Sequence, residues 1–287
     1  MMKNCCDLHT HSIYSDGTWT PAQMIDEAEK IGLSAIALTD HNTVAGLPYF
    51  FEAAKGKNVE AIGGVELSTD FEDVELHIVG LFIKEEHFDA IEALVAELKK
   101  RKEESNLLLV SALNAAGYAI DYEKIKAGTP KHHINRAHFA SALLEKGYVS
   151  SIGEAFDTLL SKTGGYYTQP RRLDAFETIQ YLKKIGCVSV LAHPFQELDE
   201  DGVRRFLTKA KPLGLDGMET EYAKYSVETV QKAKAIAKEF GVKESGGSDF
   251  HGERRKGTYI GSGEGNLRVP MAFVNNLRGA YEGKTTY

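Results

Sequence analysis

Nine residues of metal-binding type recur beside short apolar runs in this chain, within Asp7-Leu8-His9-Thr10-His11, Ser15-Asp16-Gly17, Leu38-Thr39-Asp40-His41, Gly64-Val65-Glu66, Leu76-His77-Ile78, Ala192-His193-Pro194 and Gly247-Ser248-Asp249-Phe250-His251. In an extended segment alternate side chains share a face, so His9 and His11 point the same way and two imidazoles at that spacing can grip one ion. A lone His-x-His is often incidental. Here six of the ten histidines fall at the ends of strand-like runs, and loop capping would account for one or two such positions rather than nine. Histidine and carboxylate donors without cysteine suit zinc, manganese or ferrous iron, and a glutamate can bridge two ions through its two oxygens. Two or three ions a few ångström apart polarise a phosphoryl group, lower the pKa of water and stabilise a leaving oxygen, so hydrolysis is the natural chemistry.

The elements that must position these residues alternate between strand and helix. A strand over Cys5 to His11 leads to a helix with Thr20 as cap, Pro21 in the first position and Gln23 three residues past the cap, ending at Gly32. Leu33 to Leu38 reads as a strand delivering Asp40 and His41, Val44 to Lys55 as a helix, Val59 to Val65 as a strand delivering Glu66, and Glu75 to Phe82 as a strand containing His77. Later come a helix capped by Asp174, a strand from Cys187 to Ala192 delivering His193, a short strand from Gly217 delivering Glu221, a helix from Ser226 to Phe240, and a strand from Val242 to Ser245 before Asp249 and His251. Polar groups gathered at the ends of alternating strands predict a parallel sheet curled into a barrel, with an open doubly wound sheet as the alternative. Between residues 98 and 168 helical signals run without strands, after a long helix from about Glu86 to Ala116 whose Lys99 to Glu104 charge run reads as a solvated face. The expected division is a barrel from residues 1–97 and 169–287 and a helical insertion, 98–168, forming a lid over the strand ends.

Composition narrows the function. The 287 residues carry 34 Lys and Arg against 41 Asp and Glu, a net charge of -7, which argues against broad binding of a nucleic-acid backbone such as duplex DNA. An anionic small substrate stays open, because bound cations would dominate the local field. Cys5, Cys6 and Cys187 form no Cys-x-x-Cys pair, against a disulfide framework or zinc ribbon. No stretch reaches the ~20 apolar residues of a membrane helix and no signal peptide is evident, so a cytoplasmic location is expected. No Gly-x-Gly-x-x-Gly follows the first strand, which weakens a dinucleotide reading.

With these motifs in place, the chain resembles the PHP (polymerase and histidinol phosphatase) phosphoesterases, in particular the small members acting on nucleotides and oligonucleotides. The resemblance runs from Asp7 to about Gly252 and implies an α/β fold, a distorted (β/α)7 TIM-like barrel carrying a trinuclear metal site, interrupted here by the helical insertion. It places one ion on His9, His11, Glu66 and Asp249, a second on Glu66, His77 and His193, and a third on Asp16, His41 and His251. Catalytic work is expected of Asp40, His193 and Asp249. The implied cofactors are two to three divalent ions, Mn2+, Fe2+ or Zn2+, and aspartate at position 16 slightly favours a harder ion such as manganese.

The insertion adds Asn135-Arg136-Ala137-His138 and Tyr167-Thr168-Gln169-Pro170-Arg171, which resemble the same subgroup. A guanidinium matches phosphate oxygens in a bidentate fork, so Arg136 and Arg171 are candidate phosphate clamps, with His138, His132 and His133 as further candidates. Tyr166 and Tyr167 suit a stacked base. The expected function is a metal-dependent phosphoesterase acting on a nucleoside 3',5'-bisphosphate or a short oligoribonucleotide. A histidinol-phosphate or other small-molecule phosphatase, and a non-catalytic metal- or nucleotide-binding module, are the alternatives.

Overall fold

The structure, a computed structural model, describes residues 2–128, 134–161 and 166–282. The chain divides into two compact units, residues 1–93 with 172–287 and residues 94–171.

The first unit begins with β1 (Cys5–Asp7), α1 (Pro21–Ile31), β2 (Ala35–Leu38), α2 (Leu47–Ala54), β3 (Glu60–Phe71) and β4 (Val74–Leu81). The signals at the start of α1 act as read: Thr20 and Gln23 form a reciprocal capping box, Pro21 opens the helix, and Gly32 closes it at φ 77. Met24, Ile25 and Ala28 give α1 its buried face. β3 runs five residues past Glu66 and turns through Glu72 and Asp73, both at positive φ, into β4, whose Ser68↔His77 register is antiparallel. A two-residue turn with both central residues left-handed matches the twist of a tight hairpin. Glu66 and His77 therefore sit within paired strands rather than at their carboxyl ends, unlike the expected pattern.

After the 94–171 unit the chain returns through β5 (Leu173–Asp174), α7 (Ala175–Lys184), β6 (Val188–Leu191), α8 (Glu200–Leu213), β7 (Gly217–Tyr222), α9 (Val227–Phe240), β8 (Lys243–Gly247), β9 (Val269–Pro270) and α10 (Met271–Glu282). Among the described residues seven strands in the order β8-β7-β6-β4-β3-β2-β1 make the barrel wall, with β9 beside β1 and β5 beside β3. β4 is antiparallel to both neighbours, so the sheet is not the wholly parallel one expected; a two-residue hairpin leaves no room for the crossover a parallel pair needs. The wall nearly closes where β1 meets β8, through Leu8 N–H to the Gly246 carbonyl at 3.1 Å and His11 N–H to the Phe250 carbonyl at 2.9 Å. Gly247 permits that approach, since a Cβ there would lie 2.4 Å from the His9 Cβ. Inside, Leu8, Ala37, Ile62, Val79, Val190 and Val269 fill the barrel, and Cys5, Cys6 and Cys187 are buried free thiols.

The second unit holds most of α3 (Phe88–Ala115), then α4 (Tyr122–Ala127), α5 (Arg136–Glu145) and α6 (Ile152–Asp157). It has its own apolar core, built on Leu109, Leu113, Phe139, Leu143, Leu160 and Tyr167. Burying side chains of this size contributes about 1.5–3 kcal/mol each, which gives helices this short a reason to form. Among the described residues no helix is long and apolar enough to cross a membrane.

Candidate metal centre

All nine predicted ligands, His9, His11, Asp16, His41, Glu66, His77, His193, Asp249 and His251, come together in the first unit. β1 itself ends at Asp7, but the chain stays extended and Thr10 bridges to Phe250, so His9 and His11 keep the shared face expected of them. Their ring centroids are 5.1 Å apart.

Glu66 is the hub. Its Oε2 lies 3.2 Å from His9 Nε2, 3.1 Å from His11 Nε2 and 3.0 Å from His41 Nδ1. Its Oε1 lies 2.7 Å from His77 Nδ1 and 3.1 Å from His193 Nε2. Asp249 Oδ1 faces His11 Nε2 at 3.3 Å, and Asp16 Oδ1 faces His251 Nε2 at 3.2 Å. The nitrogens of His41 look toward both Glu66 and Asp16, so this residue belongs to two donor groups rather than to the Asp16 group alone.

These distances are short, yet His9 Nε2, both nitrogens of His11, His41 Nδ1, His77 Nδ1, His251 Nε2 and Glu66 Oε2 are buried with no hydrogen-bond partner. One carboxylate oxygen has too few lone pairs to serve three imidazoles, and within each donor group the ligand atoms lie within 4.8 Å of one another. Buried polar atoms left in this way cost about 1–3 kcal/mol each. The set fits divalent ions, which would satisfy several of these atoms at once.

The carboxylates set the charge states. Burial opposes the charged imidazole, but Glu66, Glu219 and Asp249 raise His9 well above the ordinary range, and the carboxylates beside His11 and His77 raise them to about 9 and about 10. Burial wins at His41, which falls to about 4. Burial would push Glu66 and Asp249 up, yet the surrounding imidazoles hold both well below the carboxylate range.

Residues outside the cluster hold it in shape. Glu219, on β7, accepts from His9 Nδ1 at 2.8 Å and from the His193 backbone N–H at 2.7 Å. A carboxylate only accepts, so His9 keeps a proton on Nδ1, which leaves Nε2 as the nitrogen an ion would take. His193 sits at φ 26, a strained geometry that the second of these bonds supports. Sequence reading expected β7 to deliver Glu221; a register shift between the two glutamates turns Glu219 inward and leaves Glu221 paired with Lys234. Behind His77 stands Glu75, 3.5 Å from its Nε2 and tied in turn to Arg172, which also bonds Asp70 at 2.7 Å. Tyr222 donates to Asp249 Oδ2 at 2.8 Å, and Arg255 donates to the same oxygen. None of Glu219, Glu75, Arg172, Tyr222 and Arg255 stood out in the sequence: Glu219, Arg172 and Tyr222 act on residues distant along the chain, and Glu75 and Arg255, though close to His77 and Asp249, belong to no metal-binding motif.

Asp40, expected to be catalytic, is engaged in three hydrogen bonds. Its oxygens accept from Ser12 N–H, Ser12 Oγ and Ser15 Oγ, all at 2.7 Å, which fixes the loop leading to Asp16.

The expected substrate residues lie in the second unit. Arg136 donates to the Leu160 carbonyl at 3.2 Å and rests 4.7 Å above the Tyr167 ring. Tyr167 is buried in that unit's core under the guanidinium, so its face is not open to a base as expected. His138 caps its own helix, its Nδ1 accepting from Asn135 N–H at 3.1 Å. Arg171 is exposed. His132 and His133 lie outside the described residues.

Known proteins align with this arrangement. The PHP domain family matches residues 7–187. A 5'-3' exoribonuclease of Haemophilus influenzae is 33% identical over 246 residues, covering 85% of this chain and 89% of its own. A phosphoribosyl 1,2-cyclic phosphate 1,2-diphosphodiesterase of Eggerthella lenta is 31% identical, covering 92% and 98%. A 3',5'-nucleoside bisphosphate phosphatase of Chromobacterium violaceum is 30% identical, covering 90% and 91%. Among solved structures, a protein of Bifidobacterium adolescentis assigned as a metal-dependent phosphoesterase superposes with a TM-score of 0.79 at 25% identity over 96% of both chains.

Proposed function

The chain belongs to the PHP family and is a hydrolase of phosphoric esters, and we propose that it cleaves a nucleoside 3',5'-bisphosphate or a short oligoribonucleotide at a centre of two to three divalent ions. The observation that carries this reading is the convergence of nine ligand-type side chains, six of which hold buried donor atoms with no hydrogen-bond partner. His9, His11, Glu66 and Asp249 would hold one ion, Glu66, His77 and His193 a second, and Asp16, His41 and His251 a third. Ions held there would supply Lewis acidity toward phosphoryl oxygens and lower the pKa of water.

The protein's own residues divide the remaining work. Glu66 ties the donor groups together, and its side chain is only 1% exposed. Side-chain exposure rises to 30% at Asp16, 24% at His41, 19% at His77 and 12% at His193, which marks the side a substrate approaches from. Glu219 orients His9, and Asp40 is a positioning residue for the Asp16 loop. In the insertion Arg136 and Arg171 supply cations for a second phosphate.

The test is elemental analysis of protein grown in metal-supplemented medium. It is followed by phosphate release and product mass on a nucleoside bisphosphate, a short oligoribonucleotide, phosphoribosyl 1,2-cyclic phosphate and histidinol phosphate. Bound transition metal with fastest turnover of a nucleotide substrate is expected. Faster turnover of histidinol phosphate or the cyclic ester would overturn the substrate while keeping the metal chemistry; metal-free protein would overturn both.

A further inference from the structure

The hairpin of β3 and β4 carries two carboxylates face to face. Asp70 pairs with Glu75 across it, and Ser68 pairs with His77, so Asp70, Glu75 and His77 share one face. Like charges directly opposite each other on a sheet are destabilising. Arg172 bridges the two, donating from Nη1 to Asp70 Oδ1 at 2.7 Å and from Nη2 to Glu75 Oε2, while its backbone N–H donates to Asp70 Oδ2 at 3.2 Å. Asp70 alone thus holds Arg172 by two bonds, and a second carboxylate is more than that attachment demands. The other oxygen of Glu75 turns away from Arg172, and its Oε1 lies 3.5 Å from His77 Nε2. On the far edge of the same ring His77 Nδ1 lies 2.7 Å from Glu66 Oε1 and is buried with no hydrogen-bond partner.

Resting on the metal-dependent reading above, we propose that Glu75, clamped by Arg172, is a positioning residue for one ion alone, the one assigned to Glu66, His77 and His193. Its carboxylate keeps the Nε2 proton of His77 facing it and so leaves Nδ1 as the nitrogen an ion would take. Turning the ring over about its Cβ–Cγ bond would put Cδ2 where Nδ1 stands and Cε1 where Nε2 stands, and both contacts would be lost. The His77 side chain is 19% exposed, so packing does not wall the ring in on every side. Glu219 holds His9 by the opposite nitrogen, Nδ1, and no contact of Glu75 reaches His9, His11 or Asp249 among the described residues. Loss of Glu75 is therefore felt at one donor group and not at the whole centre.

The experiment compares parent, Glu75→Ala and Arg172→Met, each loaded with zinc. A calibrated chelator removes the metal stepwise, elemental analysis counts what stays bound, and proton NMR follows the His77 Nε2–H signal. In Glu75→Ala one equivalent of zinc should bind ~10–100-fold more weakly and the rest within about twofold of the parent, the loss typical of a residue that orients a ligand. The Nε2–H signal, protected in the parent, should be lost to exchange with water. Arg172→Met should weaken the same equivalent, because the carboxylate loses its anchor. Chelator competition in Glu75→Ala that matches the parent would overturn the proposal, as would an unchanged Nε2–H signal. So would equal weakening of every equivalent, which would make Glu75 a support of the hairpin as a whole. A parent that holds zinc while Glu75→Ala matches it defeats only this assignment. A parent that holds none defeats the reading it rests on.

Discussion

Replacing Glu219 by glutamine changes one atom and should break the metal centre through a hydrogen atom. Both oxygens of Glu219 accept, one from His9 Nδ1 at 2.8 Å and one from the His193 backbone N–H at 2.7 Å, in a pocket where the residue is 1% exposed. Glutamine offers one acceptor and one NH2 group. The backbone donor of His193 cannot change, so the amide oxygen must serve it, and the NH2 then faces His9 Nδ1. His9 is forced to move its proton to Nε2, the atom 3.2 Å from Glu66 Oε2, and so loses the lone pair a metal needs. A lost charge-assisted bond is worth about 1.5–3 kcal/mol, or roughly 10- to 150-fold in affinity, in line with the ~10–100-fold typical of residues that orient a ligand. The assay is competition of the loaded protein against a calibrated chelator, with phosphate release measured over a metal titration. Metal affinity should fall by that factor and turnover should recover in large part at high metal. Affinity within about twofold of the parent would refute the tautomer argument.

Three further outcomes follow from the same geometry. Glu66→Ala should remove more metal than any single histidine change, since Glu66 stands within 3.2 Å of five imidazoles; equal losses by elemental analysis would mean that it bridges nothing. In chelator-treated protein, His11 and His77 have folded pKa values of about 9 and about 10 against an ordinary 6.5, so folding takes up protons: this stabilisation is whole below about pH 6.5 and lost as pH rises through 9 to 10. The metal-free melting temperature should therefore fall from pH 7 to pH 10, whereas loaded protein, whose ligands compete with protons, should gain on it; a flat metal-free profile would refute this. Arg136→Ala should slow a nucleoside bisphosphate ~10–100-fold and an aryl phosphate far less, with thermal melts to register the lost contacts to Leu160 and Tyr167, and equal losses on both substrates would remove Arg136 from the second-phosphate role.

The clustered donor residues were legible because their chemistry is rare in that pattern: His9 and His11 alternate in an extended segment, and Asp249 and His251 repeat the spacing two hundred and forty residues later. The start of α1 was legible because capping is local, Thr20 and Gln23 being three residues apart. The hairpin was harder. Polar Ser68-Thr69-Asp70 reads as a strand end, but the residues are paired across to Glu75, Leu76 and His77, and long-range pairing overrides local polarity. Glu219 was hidden for a similar reason, since alternation along a regular strand puts Glu219 and Glu221 on one face and only the extra residue of β7 at the register shift against β8 separates them. In the insertion Arg136 looked like a free cation because nothing local announces that Tyr167 packs beneath it.

The same carboxylate chemistry is used here in two unlike ways, and burial alone does not tell them apart. Asp7 and Asp40 are as buried as Glu66 and Asp249, yet each is surrounded by hydroxyls and backbone N–H groups. Asp7 takes Ser248 Oγ at 2.6 Å, Ser248 N–H at 2.9 Å and Gly261 N–H at 2.7 Å, pinning the loop that carries Asp249 and His251. Asp40 pins the loop that carries Asp16. For both, burial outweighs these bonds and raises the pKa, whereas imidazoles drive Glu66 and Asp249 the other way. The two loops meet where Asp16 faces His251 at 3.2 Å. That donor group is the one assembled entirely from loop residues and the β2 end, so its geometry depends on the anchors more than the barrel wall does. The ion proposed there is therefore the one whose affinity should respond most to the loops, while the Glu66 site inherits the rigidity of paired strands.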